Sequence, residues 1–301
     1  MIGSSQLRRV VGYAAGSAGA ALDIAAEVAA GVSHPLAGYG DDLDAWDAQY
    51  IARTLPALMP PTQAYFRTEV HGLERIPDGP ALLVGNHSGG LVIVDTFLFA
   101  YAFYEHFGPE RRFYQLAHDM VARNPALGHL RRYGAIAASH ENAKRAFDRG
   151  APVLVYPGGD VETFRPSWRS AEIDFDHRRG WIRLALEAGV PIVPVVAIGG
   201  QETALFVTRG RRVARALMLD RMFRLTVLPI SIGPPVGVNV LDFPGRVPLP
   251  SKIGLQVLDP IDLTERFGDD PDRDEVYDRV TGEMQEALDA LDRERGMPVV
   301  G

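Results

Sequence analysis

Twice in this chain a helical stretch ends on a glycine and hands over to a short apolar run. Residues 141–149 stop at Gly150 and residues 152–156 follow; residues 181–188 stop at Gly189 and residues 190–196 follow. Glycine ends a helix by taking the left-handed backbone that other residues resist. A short apolar run bounded by turn residues reads as a buried strand. Further runs of this kind lie at residues 82–84, 113–116 and 133–138, so strands alternate with helices and the chain falls in the α/β class.

The 301 residues suit one large domain with an extension. Residues 1–66 read as a helical extension and residues 67–301 as the main domain. Asp41 and Asp42 offer a cap ahead of Leu43, Trp46, Tyr50, Ile51 and Leu55, which recur at helical spacing, and Pro60-Pro61 is expected to end that helix. Residues 10–32 are rich in Ala and Gly but contain Asp23 and Glu27. An acidic residue near the middle of a membrane span costs about 3 kcal/mol, so a surface or interfacial helix is expected there rather than a span.

Composition removes several function classes. With no cysteine, disulfides, thiolate zinc sites and cysteine nucleophiles are excluded, in keeping with a reducing compartment. A net charge of −7 and no recognition motif argue against nucleic acid. Residues 209–224 depart from that balance. Arg209, Arg211, Arg212, Arg215, Arg221 and Arg224 surround Val213, Leu217, Met218, Leu219, Met222 and Phe223. Two readings stand: an ordinary solvated helix, or a face that meets anionic lipid headgroups.

The chemistry concentrates where apolar runs enter glycine-rich turns. Leu82-Leu83-Val84-Gly85 leads into Asn86-His87-Ser88-Gly89-Gly90, and Asp95 follows eight residues after the histidine. An imidazole at a strand end, with a carboxylate to hold its tautomer, is the minimum equipment of a general base. A second turn, Pro157-Gly158-Gly159, presents backbone amides without side-chain shielding, suited to an anion or oxyanion, and Glu162 stands close behind it.

The order of these motifs resembles the glycerolipid acyltransferases of the lysophosphatidic-acid-acyltransferase (PlsC-like) superfamily, nearest its bacterial, diacylglycerol-acyltransferase-like branch. Four blocks carry the likeness: Asn86-His87 to Asp95; Gly134 to Ser139 with Glu141-Asn142-Ala143; Tyr156 to Glu162 with Phe164-Arg165-Pro166; and Val190 to Val195. They cover roughly residues 67 to 260. The resemblance implies a mixed central sheet flanked by helices, and transfer of a fatty acyl group from acyl-CoA to a hydroxyl of a glycerolipid (a lysophospholipid, or a mono- or diacylglycerol). It implies His87 and Asp95 as catalytic residues and Ser88, Gly89, Ser139, Gly158, Gly159, Glu162 and Arg165 as substrate-binding ones. Neither a metal nor a bound cofactor is implied. The expected location is cytoplasmic, peripheral on the inner face of the cell membrane, with 209–224 as the contact.

Three departures bear on the substrate. The family's histidine and aspartate stand five apart, not eight, so a bulged loop around Gly89-Gly90 must close the gap. His140 replaces the arginine that grips an acceptor phosphate. The third block reads Pro-Gly-Gly where the family commonly has Pro-Glu-Gly. The last two favour a less charged acceptor, with Arg165 or Arg169 able to stand in for the missing arginine. Two rival readings are a non-catalytic lipid-binding protein of the same fold, and an ester or thioester hydrolase using Ser88. The latter lacks the Gly-x-Ser-x-Gly elbow.

Overall fold

The computed structural model describes residues 40–219, 221, 226–243 and 245–295. The expected helix at 10–32, and residues 220 and 222–225 of the basic stretch, lie outside the described residues. In chain order the strands are β1 (Glu69–His71), β2 (Leu82–Gly85), β3 (Tyr114–Ala117), β4 (Ala135–Ala137), β5 (Val153–Val155), β6 (Ile192–Ile198), β7 (Leu205–Thr208), β8 (Ile230–Gly233), β9 (Gly237–Val240) and β10 (Gly254–Val257). Helices alternate with them through most of the chain, so the fold is α/β. Among the described residues, 40–64 and 100–154 form one compact unit, and those of 65–99 and 155–295 a second.

In the first unit β3 pairs in parallel with β4 and with β5. The helix Ala48–Phe66 groups mainly with these residues. It also continues past Pro56 and through Pro60-Pro61, where an end was expected. Each proline removes one intrahelical bond, but Tyr50, Ile51, Leu55, Ala57 and Met59 are buried, and their packing keeps the helix going. Asp42 caps only the short 3-10 turn Leu43–Ala45. The long helix takes its cap from Asp47, whose carboxylate accepts from the Tyr50 N–H at 2.9 Å.

The second unit holds the strands in the order β1-β10-β6-β2. The sheet is mixed: β1 and β10 are parallel, β10 and β6 antiparallel, β6 and β2 parallel. Both β2 and β6 are buried along their whole length, which is why they read as unbroken apolar runs rather than alternating ones. The helices Gly180–Ala188 and Arg273–Arg295 pack on them. The long helix buries Val276, Val280, Met284 and Leu288 at helical spacing. Apart from this sheet, β7, β8 and β9 form a small antiparallel one. No helix among the described residues is long and apolar enough to cross a membrane.

Candidate active site

The site begins where β2 leaves its sheet. Gly85 is the last residue in register with β6, opposite Val195. One residue on, the Asn86 side chain takes over the pairing. Its Nδ2 donates to the Ala197 carbonyl at 2.8 Å and its Oδ1 accepts from the Ala197 N–H at 2.7 Å. With the ladder continued by a side chain, the main chain is free to turn away at His87.

The His87 peptide is then held from both sides. Its N–H donates to Glu162 Oε2 at 2.9 Å, and its carbonyl accepts from Arg165 Nη1 at 2.7 Å. Glu162 and Arg165 are fully buried. Glu162 Oε1 accepts from the Asp174 N–H at 3.1 Å, while Arg165 also donates to the carbonyls of Glu162, Arg169 and Ser170. Burial pushes the Glu162 carboxyl up to about 7, against the opposing pull of Arg165 and of the two backbone N–H groups. Both side chains are therefore occupied with main chain, and neither faces solvent where a substrate would reach it.

The eight-residue gap between His87 and Asp95 closes through a pinned bulge. Gly89 and Gly90 take φ of 92° and 68°. At Gly90 a side chain would also collide with Asp242, because a Cβ there would lie 2.2 Å from Asp242 Oδ2. The bulge is tied down at each residue. Gly89 N–H donates to Gln201 Oε1, and its carbonyl accepts from Arg246. Gly90 exchanges two bonds with Thr163, and Leu91 N–H donates to Asp242 Oδ2 at 2.8 Å. Asp242 and Arg246 pair with each other in full burial.

Asp95 thus arrives in the first turn of the helix Val94–Phe107 with its carboxylate 3.4 Å from His87 Nδ1. The carboxylate is fully buried; the imidazole retains 12% of its exposure. Asp95 Oδ2 accepts in addition from Ser88 N–H and Ser88 Oγ, and Oδ1 from Thr96 N–H. The Ser88 hydroxyl is therefore committed to Asp95 and is itself buried. The opposite face of the imidazole is set by Tyr156, stacked at 4.2 Å and 17°. Burial and the Asp95 charge hold the Tyr156 phenol well above its ordinary value, so it stays neutral. With Nδ1 turned to the carboxylate and one ring face covered, Nε2 is the nitrogen left to handle a proton.

The Gly158-Gly159 turn sits in the same unit, but only part of it is free. Gly159 N–H donates to the Tyr156 carbonyl, and Arg178 caps the carbonyls of Pro157 and Gly158. Gly158 N–H makes no hydrogen bond among the described residues. Ser139 belongs to the other unit, where its hydroxyl caps the helix His140–Phe147 by accepting from Asn142 N–H at 3.0 Å. Asn86, Tyr156, Gln201, Asp242 and Arg246 were not singled out from sequence. Asn86 lay inside a recognised block, whereas Arg246 is 157 positions from the carbonyl it holds and left no local signal.

A model of the family described as Acyltransferase matches residues 67–198. An uncharacterized protein of Mycobacterium tuberculosis is 31% identical over 231 residues, 75% of this chain and 61% of that protein. A human protein named DGAT1/2-independent enzyme synthesizing storage lipids is 31% identical over 158 residues, 52% of this chain and 44% of its own length. The chain thus spans 61% or less of these two relatives. Among solved structures, the 1-acyl-sn-glycerophosphate acyltransferase PlsC of Thermotoga maritima aligns with a TM-score of 0.49 at 17% identity, over 81% of this chain and 82% of that one.

Proposed function

The chain is a member of the PlsC-like glycerolipid acyltransferase superfamily, and from that premise we propose that it transfers a fatty acyl group from acyl-CoA to a glycerolipid hydroxyl, with His87 as general base. The observation that carries this reading is the His87–Asp95 pair itself, joined across a lengthened gap with Nε2 left to act. In the proposed step Nε2 takes the proton of the acceptor hydroxyl as its oxygen attacks the thioester carbonyl. The carbon–sulfur bond then breaks, the ester forms, and the imidazolium returns the proton to the departing thiolate. Asp95 holds the Nδ1–H tautomer and stabilises the imidazolium. The Gly158 N–H is the candidate donor to the oxyanion.

Glu162 and Arg165 enter this reading as positioning residues, since each holds one end of the His87 peptide. The Arg165 side chain is committed to main-chain carbonyls and that of Arg169 pairs with Glu172, which favours a neutral mono- or diacylglycerol acceptor. The test is release of CoA thiol from acyl-CoA with labelled ester formed on a panel of acceptors. The His87→Ala variant should fold and release none. Wild-type rates in that variant would end the proposal, and thiol release with no ester on any acceptor would turn it toward a hydrolase.

A further inference from the structure

The sheet β7-β8-β9 is inside out. Across its buried face the register aligns Phe206, Ser231 and Asn239, two of them polar. Ser231 Oγ donates to Asp242 at 2.7 Å, and Asn239 bonds the main chain at Gly237 and Gly245. Across the exposed face one row aligns Leu205, Ile232 and Val238, and the next Ile230 and Val240. Every one of these aliphatic side chains is exposed, Val238 to 60%. Val236, Val247 and Phe243, the last at 62%, extend the apolar surface at the strand ends. A half-buried strand ordinarily alternates apolar-in and polar-out, and a contiguous apolar patch of this kind marks a contact surface.

Charge identifies what covers it. Residues 205–247 contain seven arginines and two aspartates, in a chain of net charge −7. The helix Arg211–Ala216 follows β7 after two residues and exposes Arg212 and Arg215 beside Val213, Leu217 and Met218. Arg211 is engaged with Asp176 and Arg209 with Asp174, but Arg212 and Arg215 have no ion-pair partner among the described residues. On the free edge of β7, Ser167 Oγ bonds the main chain of Ala204 and Phe206, and its neighbour Trp168 is 69% exposed. Aliphatic side chains, exposed arginines and an exposed tryptophan are the composition of a surface that seats in an anionic lipid interface.

We propose that the outer face of β7-β8-β9, together with the Arg211–Ala216 helix, docks the protein on an anionic bilayer. The face is joined to the site loop, because Asp242, next to Phe243, holds the Leu91 N–H. The proposal rests on the acyltransferase reading only for the idea that the bilayer supplies the acceptor. Binding itself is read without turnover, so the two fail separately.

The experiment is flotation of the full chain with phosphatidylglycerol–phosphatidylcholine vesicles against phosphatidylcholine alone. Wild type should float with the anionic vesicles, and an Ile232→Glu/Val238→Glu variant should partition at least about tenfold more weakly. An Arg212→Glu/Arg215→Glu variant should lose the preference for anionic lipid. Trp168 emission should shift to the blue on binding, a signal absent in Trp168→Phe. The sheet variant should keep the wild-type circular-dichroism spectrum and a cooperative thermal melt, which reports that it folds. Vesicle binding by the sheet variant equal to wild type would overturn the proposal, as would no binding by wild type. A wild-type dimer in sedimentation that the same substitutions dissociate would also overturn it, assigning the face to a second copy.

Discussion

Replacing Asp95 by asparagine exchanges one buried oxygen for an NH2, and both oxygens are already spoken for. Oδ2 accepts from Ser88 N–H at 2.8 Å and from His87, and Oδ1 accepts from Thr96 N–H at 2.8 Å. Whichever way the amide is turned, its NH2 faces a backbone N–H, and two donors in a site without solvent cost about 1–3 kcal/mol. If the NH2 faces Thr96, His87 keeps its Nδ1–H but loses the charge that stabilises the imidazolium. If it faces Ser88, the imidazole must accept at Nδ1 and carry its proton on Nε2, where a base is needed. Either way the general-base contribution goes, on the order of 10²–10⁴ in rate. That range is about 3–5 kcal/mol on the barrier. Thiol release from acyl-CoA, followed in a single turnover over a range of pH, measures it, with circular dichroism to show that Asp95→Asn folds. A variant within about threefold of wild type would refute the assignment of Asp95 and, with it, the tautomer argument.

Glu162 gives a pH signature. Its proton is held to about pH 7 in the folded chain but leaves near 4.5 in the unfolded one, so between those values the native state carries more protons. The stability this confers is complete below about 4.5 and is lost as pH rises through 7, with a slope of at most about 1.4 kcal/mol per pH unit. Thermal melts of Glu162→Gln against wild type should show that slope flattened, and parallel curves would contradict it. Asn86→Ala leaves the Ala197 N–H and carbonyl unpaired in full burial and should destabilise by about 2–4 kcal/mol in urea melts. Gly90→Ala forces a Cβ against Asp242 at φ 68° and should depress turnover through displacement of the loop, with a loss of about 1–3 kcal/mol in stability. Tyr156→Leu removes the stacked ring and should lower kcat while leaving folding intact, since the imidazole loses the surface that sets its plane.

The local rules of the chain carried most of the architecture. β2 and β6 are apolar throughout because both faces are covered, Gly150 and Gly189 end their helices with positive φ, and the His87 and Gly158 turns sit where strands stop. These features depend on neighbours a few residues away, so they leave a periodic trace that can be read directly. Tertiary structure alone decided the rest. Packing of one helix face overrode three prolines, Asn86 substitutes for main chain 111 residues along, and Arg246 secures Gly89 from 157 residues away. Apolar and non-apolar residues alternate in β8 and β9, but a period of two is the same whether the apolar residues point in or out, so it does not tell which face is covered. Only the buried partners of Ser231 and Asn239 settle that the polar side faces inward.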